Sequence, residues 1–201
     1  MRIPALLAVL VLLTGCAVSA AFEATNEEIR DAAYRAGGPP GLTLITVINN
    51  SSGAGGHSAL MVSGSQRVIF DPAGSFLHPD VPERGDVLYG MSPAWVQGYK
   101  SAHARNTHHV VTQTIEVTPA QAERALQLVQ SNGAVAGSFC ANATSRIISQ
   151  VPGFEDISVT FFPTNLMAQI AKRPGVVTDR YYEDDEGNVR DGIPDVVAGP
   201  A

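Results

Sequence analysis

The chain has only two cysteines in 201 residues, which excludes a small fold stapled by several disulfides. Positive charge is also scarce. Thirteen Lys+Arg stand against 19 Asp+Glu, a formal net charge of −6, and no basic stripe appears. Binding to phosphate backbones needs concentrated Lys and Arg, so no nucleic-acid partner is expected. No apolar run reaches the ~20 residues of a membrane-crossing helix. There are no repeats, and no residue pattern calls for a cofactor. What is present is 45% apolar residues, enough for the core of one globular domain.

The N-terminus reads as an address. Met1-Arg2 is followed by an apolar run from Ile3 to Leu13 and then Thr14-Gly15-Cys16. The run is too short to span a bilayer and suits a signal-peptide core. Leu13-Thr14-Gly15-Cys16 resembles the bacterial lipobox, whose cysteine takes a thioether-linked lipid. The resemblance implies a signal peptide over 1–15, lipidation (palmitate-type acyl chains) at Cys16, a tether over 16–24 and membrane attachment in the cell envelope. With Ala17 after the cysteine, it implies the outer membrane, facing the periplasm. Lipidated Cys16 cannot pair, which leaves Cys140 as a lone thiol outside the cytoplasm.

The mature chain alternates helices and strands irregularly, which predicts an α+β fold with a small antiparallel sheet. Thr25 and Glu28 form a capping-box pattern for a helix to about Ala36. Leu42–Ile48, His57–Val62, Arg67–Asp71, Asp86–Tyr89 and Thr107–Val117 read as strands. Ser92-Pro93 and Thr118-Pro119 start helices, and further helices are expected from Cys140 and near Pro163. The domain is drawn over 25–178. Residues 179–201 carry seven acidic and two basic side chains and read as an acidic tail or hairpin.

Cys140 follows the small residues Gly133 to Ser138 and opens a helix. Free backbone N–H groups and the helix dipole there favour a thiolate. A thiol nucleophile needs a base. Of the five histidines, His57 suits best, because it begins a strand after a small-residue loop. His78 lies in a Pro-rich loop, and His103 sits at a helix end, where a cation is favoured. His108 and His109 are adjacent on a strand and point to opposite faces. No spacing supports a zinc site. If Gly64 centres a three-residue loop, His57 lies opposite Asp71, with Leu60, Val62, Val68 and Phe70 on the other face. A two-residue Gly64-Ser65 loop puts Asp71 opposite Ser58 instead. In the first register Asp71 can orient the His57 ring. Asn142 reads as a solvent-facing helix residue, and Arg84-Gly85-Asp86-Val87 as an ordinary turn and strand.

The motifs Gly55-Gly56-His57-Ser58-Ala59-Leu60, Val68-Ile69-Phe70-Asp71 and Ser138-Phe139-Cys140-Ala141-Asn142 resemble the circularly permuted branch of the papain-like fold. That branch is related to NlpC-type cell-wall peptidases and the lecithin–retinol acyltransferase group. The resemblance covers residues 42–150. It implies a catalytic triad of Cys140, His57 and Asp71, an oxyanion donor at the Cys140 backbone N–H, and a peptidoglycan peptide or a lipid acyl group as substrate. The flanking Asp and Ser found beside the cysteine in many unpermuted members are missing here.

Overall fold

A computed structural model describes residues 23–74 and 76–184. The expected signal peptide and tether through residue 22, Cys16 among them, and the expected tail from 185 lie outside the described residues. The fold is α+β. One antiparallel sheet has seven strands in the order β4-β5-β3-β2-β1-β6-β7. In chain order the elements are α1 (Asn26–Ala32), β1 (Gly41–Asn49), β2 (Gly55–Ser63), β3 (Arg67–Phe70), β4 (Glu83–Arg84), β5 (Val87–Leu88), α2 (Pro93–His103), β6 (His108–Glu116), α3 (Pro119–Asn132), α4 (Cys140–Ile148), α5 (Pro163–Ile170) and β7 (Val177–Tyr181). Among the described residues no helix is long and apolar enough to cross a membrane.

Local chemistry sets the helix starts. Thr25 and Glu28 close a capping box on α1, Thr118 and Gln121 close one on α3, and Ser92 Oγ accepts the Trp95 N–H above Pro93. Tertiary contacts set some of the ends. α1 stops at Ala32, short of the expected Ala36, because the chain turns extended at Ala33 and the Tyr34 carbonyl accepts the Arg67 N–H at 2.7 Å.

Both faces of the sheet are covered, which is why central β1 is buried from Gly41 to Ile48. On one face Leu44, Leu60, Val62 and Phe70 pack against α3, α4 and α5 through Leu126, Ile147 and Leu166. On the other, Ile45, Ala59, Ile69 and Val110 pack against α2 through Tyr99 and Ala102.

The β2–β3 register differs from expectation. Ser63 pairs with Arg67 and Leu60 with Phe70, so the loop is Gly64-Ser65-Gln66. The cause lies in α3: Glu123 takes the Ser65 N–H at 2.5 Å and the Ser65 hydroxyl at 3.0 Å. The loop is therefore centred one residue later than local reading placed it. This offset keeps every side chain on its expected face, but Asp71 no longer lies directly opposite His57.

β7 pairs with β6 from Val177 to Tyr181, so the sheet runs across the 178/179 boundary drawn for the tail. At the opposite edge the Ala24 N–H donates to the Glu83 carbonyl of β4 at 2.8 Å.

Candidate active site

Two strands bring His57 and Asp71 together. β2 pairs with β1 as Val47 with His57 and then Ile48 with Gly55, so Gly56 is an extra, unpaired residue. A bulge sharpens local twist and re-aims the next side chain, and here that side chain is His57. Asp71 follows β3 directly. It begins a turn in which the Gly74 N–H donates to the Asp71 carbonyl at 2.8 Å, with Pro72 second and Ala73 at φ +55°. From these positions His57 Nε2 lies 2.6 Å from Asp71 Oδ1. The two residues meet diagonally across the hairpin.

Asp71 is only 3% exposed. Its Oδ1 also accepts the Tyr99 hydroxyl at 2.5 Å. Burial works to raise its pKa. The charge and hydrogen bond of His57, the nearby His103 and the Tyr99 hydroxyl together outweigh burial and hold the carboxyl well below its usual range. Gly74 makes room for this carboxylate, since a Cβ at that position would sit 1.7 Å from Asp71 Oδ2.

Cys140 is the first residue of α4 and 9% exposed. No side chain caps this helix at Phe139, so no side chain competes for the N–H groups of its first turn. Burial works to raise the Cys140 pKa. The His57 ring, by hydrogen bond and charge, then the Ser58 and Ala141 N–H groups, bring it below its ordinary value. His57 moves the opposite way. Burial disfavours its cation, but the charge and hydrogen bond of Asp71, and then Cys140, raise its pKa far above the ordinary value. Because Nε2 is engaged by Asp71, Nδ1 is left for the sulfur. α4 is fastened beside β2, with the Thr144 hydroxyl donating to the Ser58 carbonyl at 3.5 Å.

The three expected residues therefore converge, and three more that sequence reading did not assign support them. Tyr99 and His103, one turn apart on α2, lie beneath the pair. The His103 ring stacks on His57 with centroids 5.8 Å apart and planes 10° apart. His103 Nδ1–H donates to the Tyr99 carbonyl at 2.8 Å. The expectation that a cation is favoured at His103 fails, because burial pushes its pKa down.

Asp86 is the third. It holds a left-handed φ of +63°. Its Oδ2 accepts the Ala73 N–H at 3.0 Å and the Val135 N–H at 2.8 Å, and its carbonyl accepts the Asp71 N–H at 2.7 Å. One residue thus ties the Asp71 turn to the segment leading into Cys140. The Gly85-Asp86 pair was the sequence signal for it.

The other candidates lie elsewhere. His78 packs on Trp95, and His109 stacks on Tyr182. His108 faces Asn49. Asn142 is buried rather than solvent-facing, and its amide oxygen accepts from Arg146.

His57, Asp71 and His103 are also the one group among the described residues whose ligating atoms cluster as a metal would require. Two ligands of a tetrahedral zinc lie roughly 3.3 Å apart at zinc's usual bond lengths. The 2.6 Å between His57 Nε2 and Asp71 Oδ1 is a hydrogen-bond distance, and Tyr99 occupies the same oxygen. The group is a hydrogen-bonded chain, and an ion would have to break it.

The chain matches no protein-family model, no curated protein and no solved structure.

Proposed function

We propose that the protein is a thiol hydrolase or acyltransferase of the bacterial cell envelope, held to the membrane by lipid on Cys16 and built on a circularly permuted papain-like domain. The observation that carries this reading is the convergence of Cys140, His57 and Asp71, with the thiol pKa lowered and the imidazole pKa raised. Those directions favour a thiolate–imidazolium pair, the reactive form of such a nucleophile. The chain order, a strand histidine, an acid at the end of the next strand and a cysteine opening a later helix, agrees with the permuted fold.

The thiolate attacks a carbonyl carbon and forms a C–S bond. The carbonyl π electrons move to oxygen, and α4's N-terminal N–H groups stabilise that oxyanion. When the intermediate collapses, the bond to the leaving amine or alcohol breaks. His57 gives that group its proton. Water, or an acceptor alcohol or amine, then attacks the thioester while His57 takes the proton back. Asp71 holds the ring through Nε2, which leaves Nδ1 to serve the sulfur.

The test is the rate of Cys140 alkylation by iodoacetamide against pH. The thiolate should form as pH rises through an apparent pKa below ~7.5, and in His57→Ala that pKa should rise toward ~8.5. The imidazolium partner should be lost only as pH rises through the raised His57 value. A wild-type thiol titrating at or above ~8.5 would count against the reading.

A further inference from the structure

We propose that the acyl group handled by Cys140 is a hydrocarbon chain, seated on a rim of Phe139, Phe161 and Phe162; this rests on the thiol reading above. The rim is conspicuous among the described residues. Of the seven large apolar side chains left exposed, four are Phe139, Val159, Phe161 and Phe162, from two segments that meet where α4 and α5 begin. Phe161 is 55% exposed and Phe162 64%. The rings of Phe139 and Phe161 contact edge to face, with centroids 5.4 Å apart.

The backbone beneath these rings is fixed. The Thr160 N–H donates to Ser145 Oγ of α4 at 3.1 Å. Pro163 packs so closely on Gly55 that a Cβ there would lie 2.6 Å from it. The rim thus begins at the residue bonded to Cys140 and ends against the strand two residues before His57. The rings of Phe139 and Phe161, in contact and turned outward on fixed backbone, make an apolar patch, with Phe162 exposed next to them in the chain, and such a patch marks a binding surface.

The position of the thiol indicates the occupant. Any substrate carbonyl bonded to the sulfur carries a substituent that must leave along the protein surface, and Phe139, the exposed residue bonded to Cys140, lies on that surface. None of the three rim side chains, nor Val159 nearby in the chain, can donate or accept a hydrogen bond. A peptide or sugar laid on them would lose water from its polar groups without replacement, whereas a hydrocarbon chain gains by burial. On an ester carrying such a chain the reaction is cleavage through a thioester. The Cys140 sulfur bonds to the acyl carbon, the C–O bond breaks, and the alcohol leaves with the proton from His57. Water adds to the thioester, releasing a fatty acid and the free thiol.

The test uses the full chain with p-nitrophenyl acetate and p-nitrophenyl octanoate, comparing kcat/KM. Wild type should favour octanoate by about tenfold or more, and Phe161→Ser/Phe162→Ser should lower that ratio by about fivefold or more. Near-ultraviolet circular dichroism checks the fold of the variant, and the wild-type ratio stands without it. Cys140-dependent turnover with no chain-length preference, or a preference untouched by the double variant, overturns the rim and leaves the thiol reading standing. No acylation of Cys140 by either ester, together with an ordinary thiol pKa, overturns both.

Discussion

The two halves of the site are held in different ways. On the histidine side the reactive groups sit in a dense buried network: Asp71 bonds to His57 and Tyr99, His103 stacks behind, and Asp86 holds the turn. On the cysteine side α4 begins without a side-chain cap, after a run of small residues, beside phenyl rings open to solvent. A base must keep one tautomer and one orientation, which takes many fixed partners. A nucleophile must be reached, which takes few. The network and the rim are what those two needs look like as packing.

The comparison can be broken from the histidine side. The largest effect is expected from Gly74→Ala, because its methyl would occupy the space of Asp71 Oδ2. Turnover should fall by about 10²–10⁴-fold, as for loss of an orienting acid, while Cys140 remains alkylatable. Unchanged turnover would show that Asp71 does not hold the base.

A smaller effect is expected from Asp86→Ala, which strips the acceptor from the Ala73 and Val135 N–H groups. Urea unfolding should show a loss of about 1–3 kcal/mol. A loss near zero would mean that the histidine side does not depend on this tie.

The smallest effect sharpens the contrast. In Tyr99→Phe, Asp71 loses its second donor and acts more fully on His57, which makes the imidazolium more favourable. The thiolate should then form at a pH lower by a few tenths of a unit, about half a kcal/mol. An upward shift would make Tyr99 a packing residue rather than one that tunes the acid.

Much of this was legible where chemistry is local. The box at Thr25 and the Ser92-Pro93 and Thr118-Pro119 starts are each fixed by neighbours within a few residues. Cys140 and His57 could be singled out because a helix start and a small-residue loop are visible in sequence. The hairpin register was not legible, because Glu123, some sixty residues later, sets the loop. The His57–Asp71 contact was expected in direct opposition and is made diagonally, with the Gly56 bulge displacing the pairing just before His57. Tyr99 was not singled out, and His103 was weighed as a helix-end cation, because nothing within α2 itself shows what lies across from it. Only the topology, which lays that helix under the ends of β2 and β3, turns the two residues into a support. Asp86 was read as an ordinary turn because its left-handed backbone and its two N–H partners appear only once the turn and the segment before α4 are adjacent.

The sheet also keeps the ends of the described chain apart. Ala24 is bonded to β4 at one margin, and β7 forms the other, six strand spacings away, or about 29 Å. A surface that grips the chain at Ala24 therefore leaves β7 a full sheet-width distant. Probes attached at Ala24 and Asp179 would report on separate surroundings.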